Sequence, residues 1–191
     1  MARPIRHRKH PRLRGYDYAS AGAYYVTICW CDETPLSAIV GDEVYLGELG
    51  RIVDETWRWI GCRYDGVEID EYVVMPDHFH GIITIMNDPG DGSRTVPTRR
   101  KPLGRLVGAF KTVSTKRINQ MRQTQGVRLW QSRFHEHIVR DDEDLDRIRE
   151  YIRSNPTRWA MMRSGSRLHQ PNAPITRCPF LAIAVSRAYC S

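Results

Sequence analysis

The 191-residue sequence lacks any apolar run of about 18 residues, the length a membrane-spanning helix needs, and residues 180–185 are too few to serve. Membrane integration is not expected. The first ten residues are basic but hold no apolar stretch of the kind a secretory signal requires. The five cysteines, Cys29, Cys31, Cys62, Cys178 and Cys190, are odd in number and include no C-x-x-C pair. Free thiols in a reducing cytoplasm are the expectation. Acid is missing from two blocks: residues 3–14 hold six Arg or Lys and residues 92–135 eleven, without one Asp or Glu. The whole chain carries +7, so the residues outside these blocks carry a net −10. Signs segregated in this way favour a polyanionic partner, nucleic acid first, over a surface charged only for solubility. An intact P-loop is also missing, because Gly104, Gly108 and Lys111 have the wrong spacing.

What is present reads as one domain with a core of its own. Ala23 to Trp30 is rich in β-branched and aromatic residues and predicts a strand, with Val44–Leu46 as a short hairpin partner. Leu49, Ile52, Val53, Trp57 and Ile60 recur at helical spacing, and Gly61 is the expected C-cap. Two strands follow, Val67–Met75 and Phe79–Met86, joined at Pro76-Asp77. A turn-rich basic loop spans 87–102. The stripe Leu103, Leu106, Val107, Phe110, Val113, Ile118 and Met121 predicts a second helix, and Trp130–Val139 another strand. Acidic residues Asp141–Asp144 open a third helix carried by Leu145, Ile148 and Ile152. Pro156 should end or kink it near Asn155. The order β-α-β-β-α-β is that of an α+β ferredoxin-like (RRM-like) antiparallel sheet, here with an appended C-terminal helix.

Two side-chain arrangements carry chemistry. His78 and His80 flank Phe79 in a strand pattern, and residues two apart in a strand share a face at roughly 7 Å, so both imidazoles converge on one ion or phosphate. In that strand His78, His80, Ile82, Thr84 and Met86 share one face; Phe79, Gly81, Ile83 and Ile85 share the other. Tyr151 and Asn155 lie four apart, on one face of the predicted helix. A second pair, His135 and His137, brackets a charged residue at the end of a different strand and is assigned to structure or DNA contact.

These motifs, in this order, resemble the REP-associated tyrosine transposases, relatives of the single-tyrosine HUH transposases. The likeness runs from Gly15-Tyr-Asp-Tyr18 to Trp159. It rests on Gly22-Ala-Tyr-Tyr-Val-Thr-Ile28, Val74-Met-Pro-Asp-His-Phe-His80, Leu103 to Lys111, Trp130-Gln131, Glu136-His-Ile-Val-Arg140 and Tyr151-Ile-Arg-Ser-Asn-Pro156. The resemblance implies a ferredoxin-like fold, Mg²⁺ or Mn²⁺ held by His78 and His80, Tyr151 as nucleophile, and single-stranded or hairpin DNA as substrate. Asn155 matches the position of an amide ligand in the related transposases and is the expected third metal ligand. Residues 1–22 are then a basic N-terminal arm, 23–159 the catalytic domain and 160–191 a tail to which no role carries over. Expected DNA contacts are Arg12, Arg14, Arg105, Lys111, Lys116 and Arg133, with Trp130 stacking on an unpaired base. The enzyme would work at the bacterial nucleoid as a monomer or homodimer.

Two rivals remain. A non-catalytic binding module on the same fold would explain the charge but not the histidine pair together with Tyr151. A metal phosphodiesterase using water would survive loss of Tyr151 and leave no protein–DNA adduct.

Overall fold

The computed structural model describes residues 15–86 and 101–165. Arg12, Arg14, most of the basic loop and the tail beyond 165 lie outside the described residues. In chain order the elements are β1 (Gly22–Cys29), β2 (Ser37–Val40), β3 (Glu43–Leu46), α1 (Glu48–Arg63), β4 (Val67–Val74), β5 (His78–Ile85), α2 (Leu103–Met121), β6 (His135–Ile138), α3 (Asp142–Arg153) and α4 (Asn155–Gly165).

Four strands form one sheet in the order β4-β5-β1-β6, each neighbouring pair antiparallel. This is the ferredoxin-like arrangement the element order predicts, with β2 and β3 forming a separate hairpin. Strand alternation divides the apolar residues between two faces. Tyr24, Val26, Ile28, Phe79, Ile83 and Ile85 pack with Trp57 of α1 and with Leu106 and Phe110 of α2 in the larger core. The other face carries a smaller cluster, Tyr25, Val73, Met75 and Ile82, on which Ile148 and Ile152 of α3 rest. Each of those two isoleucines is buried, which stabilises the seating of α3 by roughly 1.5–3 kcal/mol apiece. The histidines are on this second face, as the alternation requires.

Two helix and strand limits differ from expectation. Gly61 does not end α1, which continues to Arg63 with Tyr64 as its cap. Its small size serves contact instead: a Cβ there would stand 2.9 Å from the Ile69 side chain, so Gly61 lets α1 lie close on β4. Of the segment Trp130–Val139, only His135–Ile138 forms a strand, while Trp130 makes an isolated bridge to Trp30. The residues between belong to a loop whose carbonyls at Gln131, Ser132 and Arg133 face the Lys111 ammonium at 2.9, 3.5 and 3.2 Å. Those carbonyls point to a helix side chain and not to a neighbouring strand.

β4 also holds an irregularity that matters for the site. Ile69 pairs with Ile83 and Tyr72 with Gly81, so Asp70 and Glu71 together oppose the single residue Ile82. That is a β-bulge, and it breaks the strict alternation of side chains at this point.

Candidate active site

The centre of the site is built by β5. Pro76 and Asp77 make the turn from β4, closed by the Met75 N–H donating to the His78 carbonyl at 2.9 Å. The strand then sets His78 and His80 on one face, with ring centroids 4.6 Å apart at 77°. Gly81 between His80 and Ile82 faces the opposite layer, where a Cβ would stand 2.7 Å from the Trp57 ring. Close packing behind the sheet thus fixes the depth of the strand that carries both imidazoles.

Register with β1 supplies the partners of His80. Thr27 lies directly across from it and Tyr25 one pair along, on the same face. His80 Nδ1 stands 2.8 Å from both the Tyr25 hydroxyl and Thr27 Oγ1. The Tyr25 ring also stacks on the imidazole at 5.5 Å. His80 is wholly buried, and burial, with the neighbouring His78 and His135, holds its pKa well below the ordinary imidazole value, so it is neutral. For His78, Nδ1 contacts the Asp77 carboxylate. Hydrogen-bonding one ring nitrogen to oxygen is how proteins orient the other toward an ion.

α3 brings the tyrosine. Asp141 caps it, accepting from the Asp144 N–H at 2.7 Å, and the Asp144 carboxylate in turn meets His137 Nε2 of β6 at 2.8 Å. With its start tied to β6 and its isoleucines on the sheet, α3 places the Tyr151 ring 6.2 Å from His80 and 6.1 Å from Tyr25. Asn155 opens α4, with Pro156 in its first turn, where a missing N–H costs no helix hydrogen bond. Its side chain is 1% exposed and donates from Nδ2 to the Tyr151 carbonyl at 3.3 Å.

Two buried polar atoms in this cluster, His80 Nε2 and Asn155 Oδ1, make no hydrogen bond among the described residues. Leaving such atoms unmet costs about 1–3 kcal/mol each, so their presence together at one site points to a ligand. Two imidazoles and an amide oxygen are a donor set that fits a divalent cation whose remaining positions are filled by phosphate or water oxygens. No group of three or more His, Cys, Asp or Glu side chains disposed to hold a metal occurs among the described residues.

The four residues singled out in the sequence, His78, His80, Tyr151 and Asn155, therefore share one site. The expected DNA contacts are dispersed. Arg105 and Lys116 are exposed on α2, the layer behind the sheet, and Arg133 is exposed in the loop before β6. Lys111 is directed into that loop and over the Phe134 ring at 5.3 Å. Trp130 is 3% exposed, packs against Trp30 and donates from Nε1 to Ser114 Oγ at 2.9 Å, so the structure places it in the core and not on a base-stacking surface.

Sequence reasoning passed over Tyr25, Thr27, Asp77 and Trp159 as members of the site, and assigned His135 to structure or DNA contact. Trp159 on α4 lies 6.0 Å from the His78 ring, and His135 shares a row of the sheet with Thr27 and His80. Asp77 adjoins His78, and Tyr25 and Thr27 share a strand face, but the pairing of β1 with β5 is what makes them neighbours of the histidines.

The chain is similar to known proteins over most of its length. Residues 53–155 match the family described as Transposase IS200 like. A protein of uncharacterised function from Haemophilus influenzae is 34% identical over 81% of this chain and 91% of its own length. A second protein of that organism, named as a REP-associated tyrosine transposase, is 27% identical over 74% of each chain. A solved REP-associated tyrosine transposase bound to a REP hairpin superposes with a TM-score of 0.54, covering 92% of this chain and 99% of that one at 18% identity, a likeness of fold. The family match thus defines the chain as a transposase. The chain belongs to the IS200-like transposase family. No helix among the described residues is long and apolar enough to cross a membrane.

Proposed function

We propose that this transposase cuts and rejoins single-stranded or hairpin DNA through a covalent link to Tyr151, with a divalent metal at His78, His80 and Asn155. The observation that carries the reading is the meeting of Tyr151 with His80, together with two buried polar atoms, His80 Nε2 and Asn155 Oδ1, that make no hydrogen bond among the described residues. Mg²⁺ or Mn²⁺, when bound, would supply charge neutralisation at a non-bridging phosphate oxygen.

The chain's own residues do the rest. Tyr25 and Thr27 hold the His80 ring so that Nε2 faces the site, and Asp77 does the same for His78. The Tyr151 phenol oxygen attacks phosphorus as its proton passes to water, and the departing sugar oxygen takes a proton from water. One P–O bond forms as one breaks, so the phosphodiester is conserved for rejoining without a nucleotide triphosphate. His78, His80 and Asn155 are each 1% exposed or less, so a phosphate reaches them only when neighbouring residues move aside. The relative named as a REP-associated transposase and the hairpin-bound structure support a hairpin as the substrate to try first.

The test is incubation with hairpin DNA and Mn²⁺ followed by a denaturing gel. A shifted protein–DNA band that chelator abolishes is expected. Cleavage without any adduct would transfer the chemistry to water.

A further inference from the structure

Tyr151 works only if α3 is fixed against rotation about its own axis. Ile148 and Ile152 seat the helix on the sheet, but two isoleucines on a flat apolar surface oppose lifting far more than rolling. At 3.6 residues per turn, Tyr151 projects from one flank of that apolar stripe, toward β1 and His80. Arg149 and Arg153, one turn apart, project from the other flank, toward β4.

Both arginines are held there. Arg149 meets the Asp70 carboxylate through Nε at 3.3 and 3.2 Å and through Nη2 at 2.6 Å. Arg153 meets Glu71 through Nε at 3.1 Å and Nη2 at 2.5 Å. Asp70 and Glu71 are consecutive, and in a regular strand they would point to opposite faces of the sheet. They reach the same helix because they are the two residues of the β4 bulge. A feature that interrupts the sheet thus turns two adjacent carboxylates toward two arginines spaced by one helical turn. Forked guanidinium contacts fix direction as well as distance, which point charges do not.

We infer that the Asp70–Arg149 and Glu71–Arg153 pairs form a clamp that sets the roll of α3 and so positions the Tyr151 hydroxyl against the histidines. The four are positioning residues, which act on Tyr151 through the helix that carries it. The inference rests on Tyr151 being the nucleophile. Arg153 is 53% exposed and Arg149 31%, so their worth lies in orientation and not in the modest stability of surface ion pairs.

The experiment uses the full chain, with Tyr151 replaced by 3-fluorotyrosine for an ¹⁹F signal independent of catalysis. Asp70→Asn with Glu71→Gln opens the clamp; Asp70→Arg with Arg149→Asp reverses one pair. In the opened variant, single-turnover adduct formation on hairpin DNA should slow by about ten- to a hundredfold, the scale of a misplacement near 1 Å. Hairpin affinity should hold within about twofold, and the ¹⁹F resonance should shift. The reversed pair should recover most of the rate and return the resonance toward its wild-type position. An unchanged rate and resonance in the opened variant would overturn the clamp, as would a reversed pair no better than Asp70→Asn alone. If wild-type protein forms no adduct but the resonance still moves and is restored by reversal, the tyrosine chemistry fails while the clamp stands.

Discussion

The imidazole of His80 and the phenol of Tyr151 lie with ring centroids 6.2 Å apart at 78°, although one belongs to a central strand and the other to a helix about seventy residues later. Nothing local requires this. It follows from β5 lying inside the sheet and from α3 returning across the face that α1 and α2 leave open. Tyr151→Phe keeps the ring and its packing and removes only the oxygen. Adduct formation with hairpin DNA should vanish, and affinity measured by fluorescence anisotropy should change by less than about twofold, since the lost atom contacts DNA only in the reaction. Cleavage retained by this variant would eliminate the tyrosine mechanism.

Thr27→Val replaces a hydroxyl by a methyl of similar volume beside His80. With Thr27 Oγ1 gone, one of the two oxygens that orient Nδ1 is lost, although both ring contacts with Tyr25 remain. Supporting partners of this kind are worth about 10–100-fold in metal affinity, so Mn²⁺ binding followed by calorimetry should weaken within that range. Unchanged Mn²⁺ affinity in both Thr27→Val and Tyr25→Phe would show that the imidazole needs neither.

How far the sequence carried these conclusions depended on range. The histidine pair was legible because strand alternation is local, and the face assignment of His78, His80 and Ile82 follows from period two alone. Tyr151 and Asn155 were legible through their one-turn spacing and the family resemblance, although Asn155 starts α4 and does not share one helix with Tyr151. Thr27 and Tyr25 became neighbours of His80 only through register, which depends on where β1 and β5 start and stop, and those limits are set by tertiary packing. The bulge at Asp70 and Glu71 had no signal at all, since neither residue is a glycine and the pattern around them reads as an unbroken strand. Gly61 misled for a related reason: a glycine near a helix end reads as a cap, but here it answers a close approach to Ile69 that no local pattern encodes. Trp130 shows the same limit, because an aromatic in a basic block reads equally as a base platform or as core.

DNA affinity should fall with salt, with a log–log slope of about −0.7 per neutralised phosphate on single strands and about −0.9 on duplex. Arg105→Gln, Lys116→Gln and Arg133→Gln each remove one exposed charge. Each should lower the slope by about one if its side chain meets a phosphate, while single-turnover chemistry at saturating DNA is unaltered. Three unchanged slopes would assign phosphate contact to other residues.

The Asp32–Arg122 pair ties the loop after β1 to the end of α2, with both guanidinium nitrogens on the carboxylate at 2.8 and 3.0 Å. Hydrogen bonding from Arg122 holds the Asp32 pKa down to about 2. A carboxylate with a depressed folded-state pKa stabilises the fold above its ordinary value near 4, and that contribution fades as pH falls toward about 2. The melting temperature of wild type should therefore exceed that of Asp32→Asn at pH 6, and the gap should narrow as pH drops from 4 toward 2. A gap that stays constant across that range would mean that the pair adds shape and not charge.

Asn155 offers the sharpest test of the metal reading, because one atom exchange reverses the demands of its pocket. In the wild type, Nδ2 donates to the Tyr151 carbonyl, and the buried Oδ1 makes no hydrogen bond among the described residues. Asn155→Asp turns that donor into a second oxygen facing a carbonyl and places a carboxylate in a site that is 1% exposed. Without a cation, burial of an unpaired carboxylate is unfavourable, and the variant should melt several degrees below wild type. A divalent cation inverts the balance, since a hard carboxylate is a better ligand than an amide oxygen for Mg²⁺ or Mn²⁺. The variant should then bind Mn²⁺ more tightly than wild type, and its melting temperature should rise more steeply with Mn²⁺, as expected when a ligand binds only the folded state. Asn155→Ala supplies the opposite control, with weaker Mn²⁺ binding and little response in melting temperature. Equal Mn²⁺ affinities across the three proteins would remove Asn155 from the metal site and leave it as the residue that joins α3 to α4.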